Sequence, residues 1–285
     1  MPVHLTTEVE EGAVSVDGAE VRYYVSGRPH PTRPPLVLVH GTGGSTATHF
    51  AMLFPMVATR QQVVSLDLAE PAGVSALTLE HLERQVGAVV DEALPEGPIS
   101  LLGYSLGSVV AASYAAHHAD RVENLVLVAG WIKTDHQQRL RNDLYQFLRK
   151  AGDPDAFRAY SRLFAFGVPF LAKRSPEDMD VVAPPGRPST FGALQMDLNR
   201  TIDISDRVAD IAATTLVVGG THDLMVPRHH SLALFGAIDD ARYAEIGSGH
   251  SVFVERPAEL LSIAENFLSH PRRHPAGTVI PPAQP

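Results

Sequence analysis

A hydroxyl, an imidazole and a carboxylate are the groups in this chain whose setting could support chemistry. The hydroxyl is Ser105, in Gly103-Tyr104-Ser105-Leu106-Gly107. A serine is a poor nucleophile near neutral pH unless a base lies in hydrogen-bond reach and a third group orients that base. The candidate base is His250, in the Gly-rich turn Gly247-Ser248-Gly249-His250. The other histidines fall in loops, on helix surfaces, or in adjacent pairs such as His117-His118 and His229-His230. Adjacent residues do not share a helix face, so these pairs read as poor metal sites. The candidate carboxylate is Asp223, in the loop from Thr221 to Pro227. It reads either as a turn or capping aspartate ahead of Pro227 or as the group that orients His250. Its position just after a strand favours the second reading. The last candidate is the loop His40-Gly41-Thr42-Gly43-Gly44-Ser45. Its glycines do not fit G-x-G-x-x-G, and no Lys-Ser/Thr follows, so both phosphate-binding readings fail. Backbone N–H groups without obstructing side chains suit an oxyanion hole instead.

These groups need elements to hold them. Ile99 to Leu102 is short, apolar and β-leaning, and Ser108 to Ala116 is small and helix-compatible. Strand, sharp turn and helix form the context that G-x-S-x-G requires. Glycine at 103 and 107 lets backbone pass close to the turn, and the hydroxyl stands at the positive end of the helix. Val14 to Val25 reads as a hairpin about Asp17-Gly18, a favoured turn dipeptide. The segments 36–39, 63–67, 125–129, 215–220 and 241–246 read as further strands. The most continuously apolar of them suit a parallel sheet buried on both faces. Thr48 to about Ala58 reads as one helix. Thr78 to Leu94 is another, with Leu79, Leu82, Val86, Val89, Val90 and Leu94 on one face. Pro257 opens the last helix. Ser105, Asp223 and His250 then share the carboxyl edge of one sheet.

The strand–helix alternation stops between Ile132 and Asn199. Helical patches at 136–150, 154–166 and 190–199 flank a Pro-rich stretch at 182–188. The segment carries Tyr145, Phe147, Phe157, Tyr160, Phe164, Phe166, Phe170 and Phe191. Most of these rings are expected to pack the insertion against itself, and a few to face the site as an apolar pocket.

At 285 residues, 45% hydrophobic and 19% charged, the chain suffices for one large domain or a core with an insertion. A net charge of −9 without a basic block argues against nucleic acid or an anionic membrane as partner. The absence of cysteine excludes disulfides, thiolate catalysis and Cys-ligated metals. The polar, acidic start from Met1 to Glu8 lacks signal-peptide character, and no apolar run approaches the roughly 20 residues of a membrane span. A cytoplasmic protein is expected. The Pro-rich segment after His270 reads as disordered.

Taken together, these motifs resemble the α/β-hydrolase fold family over about residues 20–269, less the insertion. The resemblance implies a mostly parallel eight-stranded sheet flanked by helices, with a helical cap inserted after strand six. The core is then 1–131 and 205–270, the cap 132–204 and the tail 271–285. It implies a catalytic triad of Ser105, Asp223 and His250, with the oxyanion bound by backbone N–H groups of Thr42 and Leu106. Gly41, Trp131 and Met225 are implied substrate neighbours. Some members carry the acid after the sixth strand, but here Gly130-Trp131 stand there and no acid comes before Asp135. No metal and no cofactor are implied, and the partner is a small-molecule substrate acting on a monomer or homodimer. The expected reaction is hydrolysis of an ester, lactone or thioester with an apolar part. The alternatives are C–C cleavage or other lyase or cyclase chemistry on a natural-product intermediate, and, behind these, ligand binding without catalysis. Dehalogenase and epoxide-hydrolase chemistry is disfavoured because those members use Asp where this chain has Ser105. The chain departs from the family pattern at 67–75, where Asp67 opens a short, degenerate loop.

Overall fold

Asp17 and Gly18 take φ of 51° and 73°, the left-handed pair that a two-residue hairpin turn requires. They join β1 (Val9–Val16) to β2 (Ala19–Ser26) in an antiparallel pair. In this computed structural model residues 8–183 and 189–281 are described. Beyond the hairpin come β3 (Leu36–Val39), β4 (Val63–Asp67), β5 (Ile99–Tyr104), β6 (Val122–Val128), β7 (Thr214–Gly220), β8 (Ala241–Ile246) and β9 (Val279–Ile280). The sheet has nine strands in the order β1-β2-β4-β3-β5-β6-β7-β8-β9. All pairings from β4 onward are parallel.

Strand periodicity divides the apolar runs between two cores. Leu36 and Leu38 join Leu102, Val126 and Leu216 on one face. Val37 and Val39 join Leu101, Leu125 and Val217 on the other. Helices cover both faces. The expected helix from Thr48 to Ala58 is instead two, α1 (Thr46–His49) and α2 (Leu53–Ala58). The chain leaves helical geometry at Phe50, whose ring is fully buried and packs edge-on against Phe253. α3 (Leu79–Ala93) starts at Thr78 with a reciprocal cap from His81. α4 (Leu106–His117) is buried from Leu106 through Ala115.

Between β6 and β7 run α5 (His136–Ala151), α6 (Pro154–Ala165), α7 (Val168–Leu171), α8 (Pro176–Val182) and α9 (Thr190–Asn199). Asp135, Asp153, Ser175 and Ser189 cap four of them through their side chains, which explains why the helices start where they do. Tyr145, Tyr160 and Met196 form a small core of their own, with Leu148, Phe157 and Phe164 packed against it. The Pro-rich stretch at 182–188 falls largely outside the described residues. α10 (Arg228–Ala237), α11 (Val252–Glu255) and α12 (Pro257–Ser269) complete the chain of helices.

Residues 271–281 are not the disordered tail that composition suggests. β9 pairs with Tyr243 and Ala244 of β8 and adds a ninth strand to the eight expected. Arg242 Nε donates to the His274 carbonyl at 2.7 Å. Two strand residues carry no readable period, so composition alone misleads here; residues 282–285 of the expected tail lie outside the described residues. Among the described residues, no helix is long and apolar enough to cross a membrane.

Candidate active site

β5 ends at Tyr104 and α4 begins at Leu106, so Ser105 alone turns the chain. It does so at φ 56°, ψ −121°, a conformation that side chains rarely adopt and that surrounding structure must enforce. The neighbours enforce it by contact. A Cβ on Gly103 would lie 2.2 Å from the Gly107 carbonyl oxygen, and one on Gly107 2.2 Å from that of Val39. Ser105 N–H donates to the Val128 carbonyl at 2.9 Å, anchoring the turn to β6.

The structure brings the other two expected residues to this hydroxyl. His250 Nε2 lies 2.9 Å from Ser105 Oγ, and His250 Nδ1 lies 2.8 Å from Asp223 Oδ2. An ionised carboxylate only accepts, so Nδ1 carries the proton and Nε2 of the neutral ring accepts from the serine. The Asp223 side chain is wholly enclosed. Its second oxygen accepts from the backbone N–H groups of Met225 and Val226, each at 2.8 Å. Both of its oxygens are thus satisfied, as burial of a carboxylate requires. The His250 loop is held from several sides. Tyr104 Oη donates to the His250 carbonyl at 2.8 Å, and Ser251 N–H donates to that of Ala165 at 2.7 Å. Glu255 Oε1 accepts from both Gly249 and Gly167, each at 3.0 Å.

Asp135, the other acid weighed from sequence, sits elsewhere. It caps α5 and approaches His229 Nε2 at 2.9 Å and His230 Nε2 at 3.3 Å. One ligand atom from each of Asp135, His229 and His230 lies within 4.8 Å of the others, a spacing that could hold a cation. The sequence reading discounted this pair because adjacent helical residues diverge. Here the two rings lie 4.1 Å apart at the first turn of α10, and the acid comes from a different element. Burial, then the neighbouring His229, lowers the His230 pKa to about 4.

The β3–α1 loop is fixed by two neutral imidazoles. His49 Nδ1 accepts from Gly41 N–H at 3.2 Å. Burial, followed by the proximity of His40 and His250, lowers its pKa to about 3. His40 Nε2 accepts from Leu68 N–H at 2.9 Å, so its Nδ1 donates to the Gly41 carbonyl at 2.8 Å. Burial also lowers the His40 pKa. Gly43 N–H is taken by Gln195 Oε1 at 2.7 Å and Gly44 N–H by the Gly41 carbonyl at 3.1 Å. Thr42 N–H has no acceptor among the described residues. Leu106 N–H stands at the first position of α4, where no intrahelical acceptor exists. These are the two donors the sequence singled out.

A cavity of about 160 Å³ opens over Ser105. Trp131 and Met225 line it, as expected, together with Thr42, His49, Arg141, Asn199 and His250. Gly41 does not line it. A Cβ there would meet Ser105 Cβ at 2.8 Å, so its smallness serves close packing behind the serine. None of the insertion's phenylalanines or tyrosines lines the cavity; the insertion contributes Arg141, Ala165, Met196 and Asn199. The expected apolar aromatic pocket is therefore a small, partly polar one: Tyr145, Phe157, Tyr160 and Phe164 pack in the insertion's own core, Phe166 and Phe170 stack on each other, Phe191 packs on the main core and Phe147 is exposed.

Residues 34–257 match the family described as alpha/beta hydrolase fold. The chain belongs to the α/β-hydrolase fold family. Pyrrolizixenacetamide deacetylase of Xenorhabdus hominickii is 30% identical over 269 residues, which span 90% of this α/β-hydrolase and 97% of that protein. An alpha/beta hydrolase enzyme from a Medee basin deep-sea metagenome library superposes with a TM-score of 0.78 at 17% identity, covering 91% and 98% of the two chains. The enol-lactonase of Burkholderia xenovorans superposes at 0.72 and 21% identity, covering 91% of this chain and 100% of that one. At such identities the two solved structures speak to the fold alone.

Among the residues at the site of this α/β-hydrolase that escaped the sequence reading, three fix its loops. Asp67 Oδ1, at the end of β4, accepts from Thr46 N–H at 2.6 Å and Thr46 Oγ1 at 2.8 Å, and so pins α1 beneath the Thr42 loop. Glu255 bridges two loops, as described above. Asn199 Nδ2 donates to Thr42 Oγ1 at 2.9 Å. A strand-terminal aspartate was a visible signal for the first. Nothing local marks the other two, which act across 88 and 157 residues of chain.

Proposed function

We propose that this α/β-hydrolase is a serine hydrolase that cleaves a small acyl ester or amide through an acyl-enzyme. One observation carries the reading: the unbroken hydrogen-bond chain Asp223–His250–Ser105, at 2.8 and 2.9 Å, beside the unoccupied N–H groups of Thr42 and Leu106. In this reading Ser105 Oγ attacks the acyl carbonyl while its proton passes to His250 Nε2. Asp223 keeps the ring in the Nδ1–H form and stabilises the imidazolium. The carbonyl oxygen gains negative charge between the N–H groups of Thr42 and Leu106. His250 then returns the proton to the leaving oxygen or nitrogen, and the C–O or C–N bond breaks. Water, deprotonated by His250 Nε2, attacks the acyl carbonyl, the C–Oγ bond breaks, Ser105 Oγ takes the proton back from His250, and the carboxylic acid leaves.

The cavity volume of about 160 Å³ is below the usual range of roughly 300–1,000 Å³ for ligand pockets. That favours a short acyl group over the small to medium apolar substrate expected from sequence. The named activity of the Xenorhabdus relative, a deacetylase, is in keeping with a short acyl group. The test is labelling with a fluorophosphonate probe combined with turnover of p-nitrophenyl acetate and octanoate. Labelling confined to Ser105 and faster turnover of the acetate are expected. A folded protein that neither takes the label nor turns over the acetate overturns the reading.

A further inference from the structure

Arg141 of α5 lines the cavity over Ser105 and is only 6% exposed. Its guanidinium has no ion-pair partner among the described residues, whereas the buried Arg242, away from the site, is paired with Asp240. Arg141 Nε is buried and donates to nothing among the described residues. The polar neighbour of the guanidinium is Tyr160, whose hydroxyl donates to the Arg141 backbone carbonyl at 3.0 Å. Burial raises the Tyr160 pKa against the opposing pull of Arg141, so the phenol stays neutral and supplies no counter-charge.

Arginine cannot escape by losing its proton. A buried guanidinium without an anion is a strongly unfavourable arrangement. The cavity also holds a second unmatched polar atom. Asn199 lines it with its Oδ1 buried and unpartnered, while its Nδ2 is committed to Thr42. The unmatched charge and the unmatched amide oxygen both come from helices of the insertion, on the cavity that also holds Ser105. An interior built this way is complete only when something else enters it.

We infer that this cavity is built for an anionic substrate, one that carries a carboxylate a few bonds from the bond to be cleaved, with Arg141 as its specificity-determining partner. The inference rests on the hydrolytic reading above for the reaction, but not for the binding. A carboxylate matches the planar fork of the guanidinium by two parallel hydrogen bonds. The small volume keeps acid and acyl carbonyl within one short molecule. Asn199 Oδ1 accepts from a hydroxyl or N–H of the same ligand.

Monomethyl and dimethyl glutarate make the test, since they differ in one charge and one methyl. The wild-type protein should show a kcat/KM at least tenfold higher for the monomethyl ester. Arg141→Gln should lower that value roughly a hundredfold, mainly through KM, and change the dimethyl ester less than threefold. Arg141→Lys should fall between them, because it keeps the charge and loses the fork. Binding is read separately by calorimetry of glutarate with Ser105→Ala protein. Glutarate should bind, and binding should vanish in the Ser105→Ala, Arg141→Gln double variant. Without ligand, Arg141→Gln should melt no lower than the wild type, since it removes an unpaired buried charge. If neither ester is cleaved but glutarate binds through Arg141, the hydrolytic reading fails and the anionic subsite stands. Preference for the dimethyl ester, equal loss on both esters in Arg141→Gln, or glutarate binding indifferent to Arg141 overturns the subsite.

Discussion

Asn199 Nδ2 donates to Thr42 Oγ1 across 2.9 Å, tying α9 to the loop whose Thr42 N–H has no acceptor among the described residues. The side chain that positions a reaction-site loop thus comes from the insertion rather than from the sheet. Asn199→Ala removes that bond, and a typical intramolecular hydrogen bond is worth about 1 kcal/mol. The expected result is a kcat lowered about tenfold for p-nitrophenyl acetate, with little change in KM. An unchanged kcat would show that the loop holds its shape without Asn199.

Asp223→Asn tests the orienting role assigned to the acid. The amide presents an N–H to His250 Nδ1 where the carboxylate presented an oxygen, and favours the wrong ring tautomer. Loss on the order of 10⁴-fold in kcat follows from the equivalent change in serine proteases. Asp135→Asn should leave kcat within a few fold, because Asp135 faces His229 and His230 rather than His250. Similar losses in both variants would count against the assignment.

The sheet and its carboxyl edge were legible because continuous apolar runs and strand-end glycines are local signals. Ser105, Asp223 and His250 each sat just past such a run, so their convergence followed from parallel topology. The lining of the cavity was not legible. Whether Tyr160 faces the serine or its own helices depends on how α5, α6 and α9 pack, and Tyr160 went to the helices. Arg141 and Asn199 lie on those same helices with no motif around them. β9 was missed because its pairing partner, not its own two residues, makes it a strand.

Gly107→Ala tests the close approach behind the Ser105 turn. The added Cβ would sit 2.2 Å from the Val39 carbonyl oxygen and 2.5 Å from that of His40, both backbone atoms that cannot swing aside. Overpacking against rigid backbone costs about 3 kcal/mol, or roughly 10 °C in melting temperature for a chain of this size. Thermal unfolding followed by circular dichroism reads it. A melting temperature within 2–3 °C of wild type, by the same rough conversion, would mean that the turn relaxes freely.

Removal of residues 271–285 should destabilise without inactivating. Arg242 is 4% exposed and loses the His274 carbonyl that its Nε bonds. A charged donor left without its acceptor costs roughly 1.5–3 kcal/mol, which corresponds to about 5 °C. Turnover at 25 °C should be retained, since no described residue of this segment lines the Ser105 cavity. An unaltered melting curve would return the segment to the status of a loose tail.

His49 makes stability depend on acid. Its folded pKa lies near 3, against the ordinary imidazole value of 6.5 that the unfolded chain regains. Above pH 6.5 neither state is protonated, and the native arrangement keeps its full stability. As pH falls below 6.5 the unfolded chain takes up a proton that the native state refuses, so stability drops until about pH 3. Between pH 6.5 and 5 this amounts to about 2 kcal/mol for one histidine. The buried His230, near 4 in the fold, adds a loss of the same sign. His49→Gln keeps an acceptor for Gly41 N–H but cannot be protonated. Its unfolding free energy, measured in urea at pH 7 and pH 5, should therefore fall by about 2 kcal/mol less than that of the wild type across the same interval. An identical fall in the two proteins would mean that His49 is charged in the fold, and that the Gly41 N–H lacks the acceptor described above.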